Sequence, residues 1–117
     1  MDFLTEGHLA TLTTLRADGS PHVVAVGFTY SPEERLVRVI TFGGSVKARN
    51  AARGGRAADG QVDGGRWLTL EGIARVTADP ADVATAVAKY AARYREPGER
   101  VDRVAIEISV DRILGRA

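Results

Sequence analysis

Lys47 follows Ser45 by two residues, and both come just after Gly43-Gly44, the pair that stops an apolar run from Leu36 to Phe42. Strand, glycine hinge, capped helix start and early cation are together the parts of an anion site. A helix N-terminus offers unpaired N–H groups and a partial positive charge. Ser45 suits the N-cap, and Lys47 adds a full charge. Such a site takes a phosphate-bearing cofactor or substrate. The same residues also read as a turn, an ordinary cap and a solvated lysine, and the segment alone leaves both readings open. Asn50, near the same helix end, is either a further ligand hydrogen-bonding group or a polar helix residue. His22, beside Pro21, is either a polar contact or acid near a ligand, or a structural histidine at a strand start.

The composition removes several other chemistries. The 117 residues suit one compact domain, residues 1–117, with a modest buried fraction that pairing with a second copy would enlarge. Lys plus Arg is 16 against 15 Asp plus Glu, a net charge of +1. That balance gives no basis for polyelectrolyte binding to nucleic acid or a membrane surface. Without cysteine there are no disulfides, thiolate metal sites or cysteine nucleophiles, and a reducing cytoplasm fits. His8 and His22 alone make no zinc site. No apolar run reaches membrane-spanning length and no signal-peptide pattern opens the chain, so the expected location is cytoplasmic.

The elements that must position these residues follow from periodicity and turn chemistry. Asp2 to Glu6 reads as the last turn of a short helix closed by Gly7. His8 to Leu15 and Pro21 to Tyr30 read as strands joined by the Ala17-Asp18-Gly19-Ser20 turn. After Ser31-Pro32-Glu33-Glu34, the strand Leu36 to Phe42 completes a meander of three antiparallel strands. A helix over Ser45 to Arg53 ends at Gly54-Gly55. Gln61 to Asp63 is the end of a weak strand, and Asp63-Gly64 is a hairpin turn. Arg66 to Thr77 is a long strand with Gly72 at a bulge or close approach. Asp79 caps a second helix with Pro80 at N1, a buried stripe of Val83, Val87, Tyr90 and Tyr94, and a stop at Pro97-Gly98. In the last strand Val104, Ile106, Ile108 and Val110 alternate with Ala105, Glu107, Ser109 and Asp111, which predicts one buried and one wet face. Strands outnumber helices, so the expected class is mainly β, a small antiparallel barrel with two or three helices.

With these elements placed, Leu12 to Val24 resembles the opening hairpin of the split-barrel flavin and deazaflavin family that includes pyridoxamine-phosphate oxidase. Ser45-Val46-Lys47-Ala48-Arg49-Asn50 resembles that family's cofactor-phosphate segment, and the likeness covers nearly the whole chain. Within the family, Val24 to Thr29, Arg38 to Thr41, Gln61 to Gly64, Arg66 to Leu68 and Tyr90 to Arg95 are similar to the actinobacterial biliverdin reductases that use the deazaflavin coenzyme F420. The resemblance implies a homodimer of split barrels with two cofactor sites at the subunit interface. It implies hydride transfer from reduced F420 to a conjugated tetrapyrrole, biliverdin giving bilirubin, with no protein nucleophile or metal and no catalytic side chain assigned.

The resemblance also implies the site. His22, Val23, Val24 and Ala25 would lie against the cofactor ring. Thr41, Phe42, Gly43 and Gly44 would border the ring or phosphate, and Ser45, Lys47, Ala48 and Asn50 would hold the phosphate. Gln61, Val62, Asp63 and Gly64 would approach from the partner subunit. Trp67 would fill the dimer interface or stack on a ligand. Arg66, Arg93 and Arg95 would meet tetrapyrrole propionates or the acidic tail of F420. Flavin mononucleotide (FMN) is the alternative cofactor, giving an FMN-dependent oxidase or reductase, and a non-catalytic F420 carrier is the alternative function. A small oligonucleotide-binding barrel is disfavoured by neutral charge and few aromatics. Two departures from the family pattern stand out. A longer N-terminal helix of relatives is expected to be missing. Arg56-Ala57-Ala58-Asp59-Gly60 replaces an apolar strand, which predicts a shortened or displaced strand with weak local structure.

Overall fold

Seven antiparallel strands form one sheet in the computed structural model of the chain, which describes residues 2–4 and 6–116. In chain order these are β1 (Ala10–Leu15), β2 (Pro21–Val26), β3 (Thr29–Ser31), β4 (Leu36–Phe42), β5 (Arg56–Asp63), β6 (Arg66–Thr77) and β7 (Arg103–Arg116). The helices are α1 (Val46–Ala51) and α2 (Pro80–Arg93), with a 3₁₀ turn at Asp2–Leu4. The hydrogen-bonded order is β2-β1-β5-β6-β7-β4-β3. Its two end strands, β2 and β3, are separated in sequence only by Gly27 and Phe28. The sheet must therefore curl until its ends meet at that corner, which makes it a split barrel.

That corner corrects the expected meander, because the stretch Pro21 to Tyr30 is two strands, not one. β2 pairs with β1 (Thr13 opposite Val23), while β3 pairs with β4 (Tyr30 opposite Val37). The break is made by α2. A Cβ on Gly27 would lie 2.9 Å from Tyr90 Cε2 and 3.2 Å from Tyr94 Cε2, so only glycine lets the helix come this close. The backbone groups of Phe28 are satisfied by side chains instead of a ladder. Its N–H donates to the Tyr94 hydroxyl (3.2 Å) and its carbonyl accepts from Arg93 Nη1 (2.6 Å).

Inside the barrel, Leu12, Phe28, Val37, Val39, Leu70, Ile106 and Ile108 are fully buried and form the centre of one apolar core. Gly72 sits at a register shift in the β6–β7 ladder, where a Cβ would fall 1.8 Å from the Ser109 carbonyl oxygen, so the close approach read from the sequence is present. On β7 the expected alternation holds only at Ser109 and beyond, for Ala105 and Glu107 are buried too. α2 packs against β7, and Arg75 binds the Glu107 carboxylate (Nε–Oε1 2.7 Å), so the face that would have been wet is covered. Two terminators also differ. Gly7 does not adopt positive φ, and Thr5, within the helix turn expected over Asp2 to Glu6, lies outside the described residues. α2 ends at Arg93 with Tyr94 as its C-cap, before Pro97-Gly98 is reached. Among the described residues no helix is long and apolar enough to cross a membrane.

The polar stretch before Gln61 behaves differently from expectation. β5 runs the full length from Arg56 to Asp63 and pairs with β1 on one side and β6 on the other. Alternation explains how it tolerates its charges. Arg56 points outward and forms a double hydrogen bond with Asp111 (2.7 and 2.8 Å). Asp59 points inward between Leu12 and Leu70, is fully buried, and neither carboxyl oxygen has a hydrogen-bond partner. Burial pushes its pKa well above the usual carboxylate value, outweighing the attraction of Arg93.

The sign of that shift sets a pH dependence. The native state favours the protonated acid, whereas the unfolded chain ionises near pKa ~3.9. The contribution of Asp59 is therefore complete below about pH 4 and is lost as pH rises toward its folded pKa. Asp59→Asn is expected to raise unfolding free energy at pH 7 by about 1–3 kcal/mol, with the gain shrinking toward pH 4. Urea unfolding of both proteins across this range checks it, and a gain independent of pH would contradict the assignment.

Candidate functional site

β4 ends at Phe42, and the chain reverses through Gly43 and Gly44 into α1. Ser45 N–H bonds back to the Phe42 carbonyl (3.0 Å), and Gly43 N–H donates to the Asp102 carbonyl (3.0 Å), tying this turn to the start of β7. Ser45 caps α1 as expected, its Oγ accepting from Ala48 N–H (3.2 Å) and from the Thr41 hydroxyl (3.0 Å). α1 has only six residues, so its dipole is small and the full charge of Lys47 dominates the local field. Lys47 is half-buried, and that burial lowers its pKa from the ordinary lysine value.

Beside this turn lies a cavity of about 300 Å³. Ala25, Val26 and Gly27 form the wall contributed by the end of β2, and Ile40, Thr41 and Phe42 the wall contributed by β4. Lys47 enters from α1 and Tyr90 from α2, while Pro97 and Arg100 come from the loop after α2 and Arg103 from the start of β7. The lining holds three cationic side chains, Lys47, Arg100 and Arg103, and no carboxylate, in a chain whose net charge is +1. Phe42 and Tyr90 add aromatic surface. A concave site with aromatic walls and fixed positive charge is built for a flat ligand that carries anionic groups.

Of the residues singled out from sequence, Ala25, Thr41, Phe42 and Lys47 meet at this cavity. Gly43 and Gly44 are exposed in the adjoining turn, and Ser45 and Ala48 are buried beneath it. Asn50 faces away, with its amide donating to Thr14 Oγ1 (3.1 Å) and its oxygen accepting from Arg53 (2.7 Å), so it fastens α1 to β1. Along β2, Val23 and Ala25 are exposed while His22 and Val24 are partly buried, Val24 against the core. His22 Nδ1 is buried without a partner.

Gln61 to Gly64 lie at the β5–β6 hairpin, across β1 from β2, and do not line the cavity. Gln61 is buried, its amide donating to the Phe3 carbonyl (2.8 Å) and its oxygen accepting from Arg93 Nη2 (2.6 Å). Val62, Asp63 and Gly64 are exposed. Arg93 is held inside the subunit, and Arg66 binds Glu6 and Asp63, while Arg95 is exposed. Arg66 holds Glu6 at a pKa of about 2. With His8 and Asp63, Glu6 forms a group of possible metal ligands, but the guanidinium already occupies its carboxylate.

Tyr90, Arg100 and Arg103 were not found by sequence reasoning. The sequence places Tyr90 in a buried helical stripe and in the Tyr90 to Arg95 resemblance without marking it as a site residue, and the two arginines belong to a short charged run, Arg100-Val101-Asp102-Arg103, that resembles any solvated loop. The usable signal was that this run immediately precedes a strongly apolar strand, which anchors its end beside other elements.

The sequence and the fold have counterparts in known proteins. The family described as Pyridoxamine 5'-phosphate oxidase matches residues 1–117. A protein from Mycobacterium tuberculosis named F420H(2)-dependent biliverdin reductase is 58% identical over 115 residues, covering 98% of this chain and 84% of the relative. Among solved structures, a conserved hypothetical protein, Rv2991 from Mycobacterium tuberculosis, superposes with a TM-score of 0.82 at 24% identity, covering 97% of this chain and 79% of that one. A structure named F420 Reductase gives a TM-score of 0.78 at 24% identity over 97% of this chain and 94% of that one. At such identities the two superpositions speak to the fold alone.

The cavity wall depends on the close contact at Gly27. Gly27→Ala is expected to cost about 1–3 kcal/mol of stability, because Tyr90 and Tyr94 must both move. Gly98→Ala, with nothing within 4 Å of the new methyl, should change it by less than about 0.5 kcal/mol. Urea denaturation of the two variants separates the outcomes.

Proposed function

The chain belongs to the pyridoxamine 5'-phosphate oxidase family, and from that membership we propose that it is an F420H2-dependent reductase whose acceptor is a conjugated tetrapyrrole, biliverdin being reduced to bilirubin. The observation that carries this reading is the meeting of Lys47, Thr41, Phe42 and Ala25 at one cationic cavity. It stands in a chain that matches a relative named for F420H(2) along nearly its whole length.

The residues present fit such a cofactor. Lys47 is the point charge for its phosphate, with the Thr41 to Gly44 backbone beside it. β2 is an end strand in the sheet order and pairs only with β1, so the backbone groups of its other edge are available to the polar rim of a ring. Phe42 and Tyr90 supply apolar walls that exclude water. When bound, the reduced deazaflavin supplies a hydride to the acceptor, and the product also takes up one proton. FMN would meet the same cation and strand, but the relative named for F420H(2) favours the deazaflavin.

We further propose a homodimer, acting in the cytoplasm. At about 300 Å³ the cavity is at the small end for a ligand site, so part of the cofactor must lie outside one subunit's walls. The outer face of β2-β1-β5-β6-β7 leaves Leu15, Val23, Val62, Trp67, Ile73 and Leu114 exposed, a surface suited to a second copy. In that pairing the exposed hairpin Val62-Asp63-Gly64, with Gln61 behind it, is the segment offered to the partner's site.

Two experiments test these readings. Lys47→Ala is expected to weaken F420H2 binding by about tenfold or more, measured by cofactor fluorescence, with slower bleaching of biliverdin. Preference for FMN would overturn the cofactor assignment, and tight F420 binding without bleaching would make the protein a carrier. Trp67→Glu with Ile73→Glu should convert dimers to monomers in sedimentation and weaken cofactor binding together. A native chain that sediments as a monomer at all concentrations would refute the dimer.

A further inference from the structure

We propose that Arg100, oriented by Phe42 and provisionally neutralised by Asp102, is a carboxylate subsite of the Lys47 cavity, filled when a ligand carboxylate takes the place of Asp102. This rests on the functional reading above and deepens it, assigning the second anionic group that the ligand must carry.

Three observations carry the inference. The Arg100 guanidinium carbon lies 4.1 Å from the centroid of the Phe42 ring, so its plane is held against a wall of the cavity. Its Nε donates to Asp102 Oδ1 (2.6 Å) and its Nη2 lies 3.4 Å from Oδ2, a fork that already grips a carboxylate. Both side chains are about half exposed, so an ion pair between them contributes little and is readily exchanged for an equivalent one. The loop is tied to the cavity wall just after Arg100. Gly43 N–H bonds the Asp102 carbonyl, and Phe42 pairs with Arg103 across β4 and β7. The loop carrying Arg100 and the turn leading to Lys47 are therefore one fastened unit, with Lys47 and Arg100 as separate charges on one cavity.

The ligand class follows. It carries one anionic group at Lys47 and a carboxylate at Arg100, with a flat apolar body between Phe42 and Tyr90. A carboxylate can come from the acidic tail of the cofactor or from a propionate of the acceptor. The fork geometry favours a guanidinium, whose plane lies on an aromatic face and whose two parallel N–H donors match both carboxylate oxygens, whereas a lysine is a point charge without that match.

The test uses the full chain and measures dissociation constants by fluorescence, independent of turnover. Probes are F420 with its tail carboxylates free and with them esterified, and biliverdin and its dimethyl ester. Arg100→Gln and Arg100→Lys are expected to weaken one carboxylate-bearing probe about tenfold while leaving its carboxylate-free counterpart unchanged. Asp102→Asn, which removes the competitor, is expected to tighten the same probe about two- to threefold. Loss confined to the F420 pair assigns the subsite to the cofactor tail, and loss confined to the biliverdin pair assigns it to the acceptor. Equal binding by native and Arg100 variants, or equal loss with and without the carboxylate, overturns the subsite while leaving the reductase reading intact. A native chain that binds neither F420 nor biliverdin overturns that reading and the subsite with it.

Discussion

The guanidinium of Arg93 reaches three separate stretches of chain at once. It donates to the carbonyls of Glu6 (2.8 Å) and Phe28 (2.6 Å) and to the side-chain oxygen of Gln61 (2.6 Å), and it stacks on the rings of Phe28 and Tyr94. A half-buried charge bound only to neutral acceptors is costly to desolvate, and burial lowers its pKa accordingly. The barrel requires it all the same. The corner between β2 and β3 is where the two ends of the sheet meet, and ladder bonding stops there. Without Arg93 and Tyr94, the backbone of Phe28 would be left unpaired in a buried position.

The cavity is a consequence of that closure. Gly27 and Tyr90 are both corner contacts and cavity lining, so the helix that seals the barrel also shapes the ligand wall. The opposite wall is set by the Gly43 turn, fixed to the start of β7 through Asp102. Lys47, Arg100 and Arg103 therefore come from three elements yet face one volume. Asp102, outside the lining, offsets the charge of Arg100, while no carboxylate within the lining answers Lys47 or Arg103.

Local chemistry was legible in the sequence, and long-range closure was not. Ser45 and Asp79 as caps and the Gly72 close approach each follow from the residue's own conformational or hydrogen-bonding needs. Local logic pointed to Lys47 and the family resemblance to Thr41, Phe42 and Ala25, and these four line one cavity. Local logic could not see that Gly27 breaks a strand, because an apolar run with one glycine looks continuous until α2 is placed on it. It missed Arg100 and Arg103 for the same reason, and it read Arg56 to Gly60 as weak because composition does not reveal which charge points outward. Arg56 finds Asp111, 55 residues away in sequence. Asp59 finds no partner and favours its neutral form.

The two polar departures inside β5 bear on the same end of the barrel. Asp59 and Gln61 share its inward face, Gln61 is bound to Arg93, and Asp59 lies close enough to Arg93 to feel its charge. An ionised Asp59 would compete for a guanidinium that the corner already uses in full. Keeping the acid protonated leaves Arg93 committed to Glu6, Phe28 and Gln61, and so leaves Tyr90 and Gly27 where the cavity needs them. The burial that makes Asp59 unfavourable as a carboxylate is thus consistent with the geometry of the site: the low-dielectric core that suppresses its charge also prevents it from unfastening the corner.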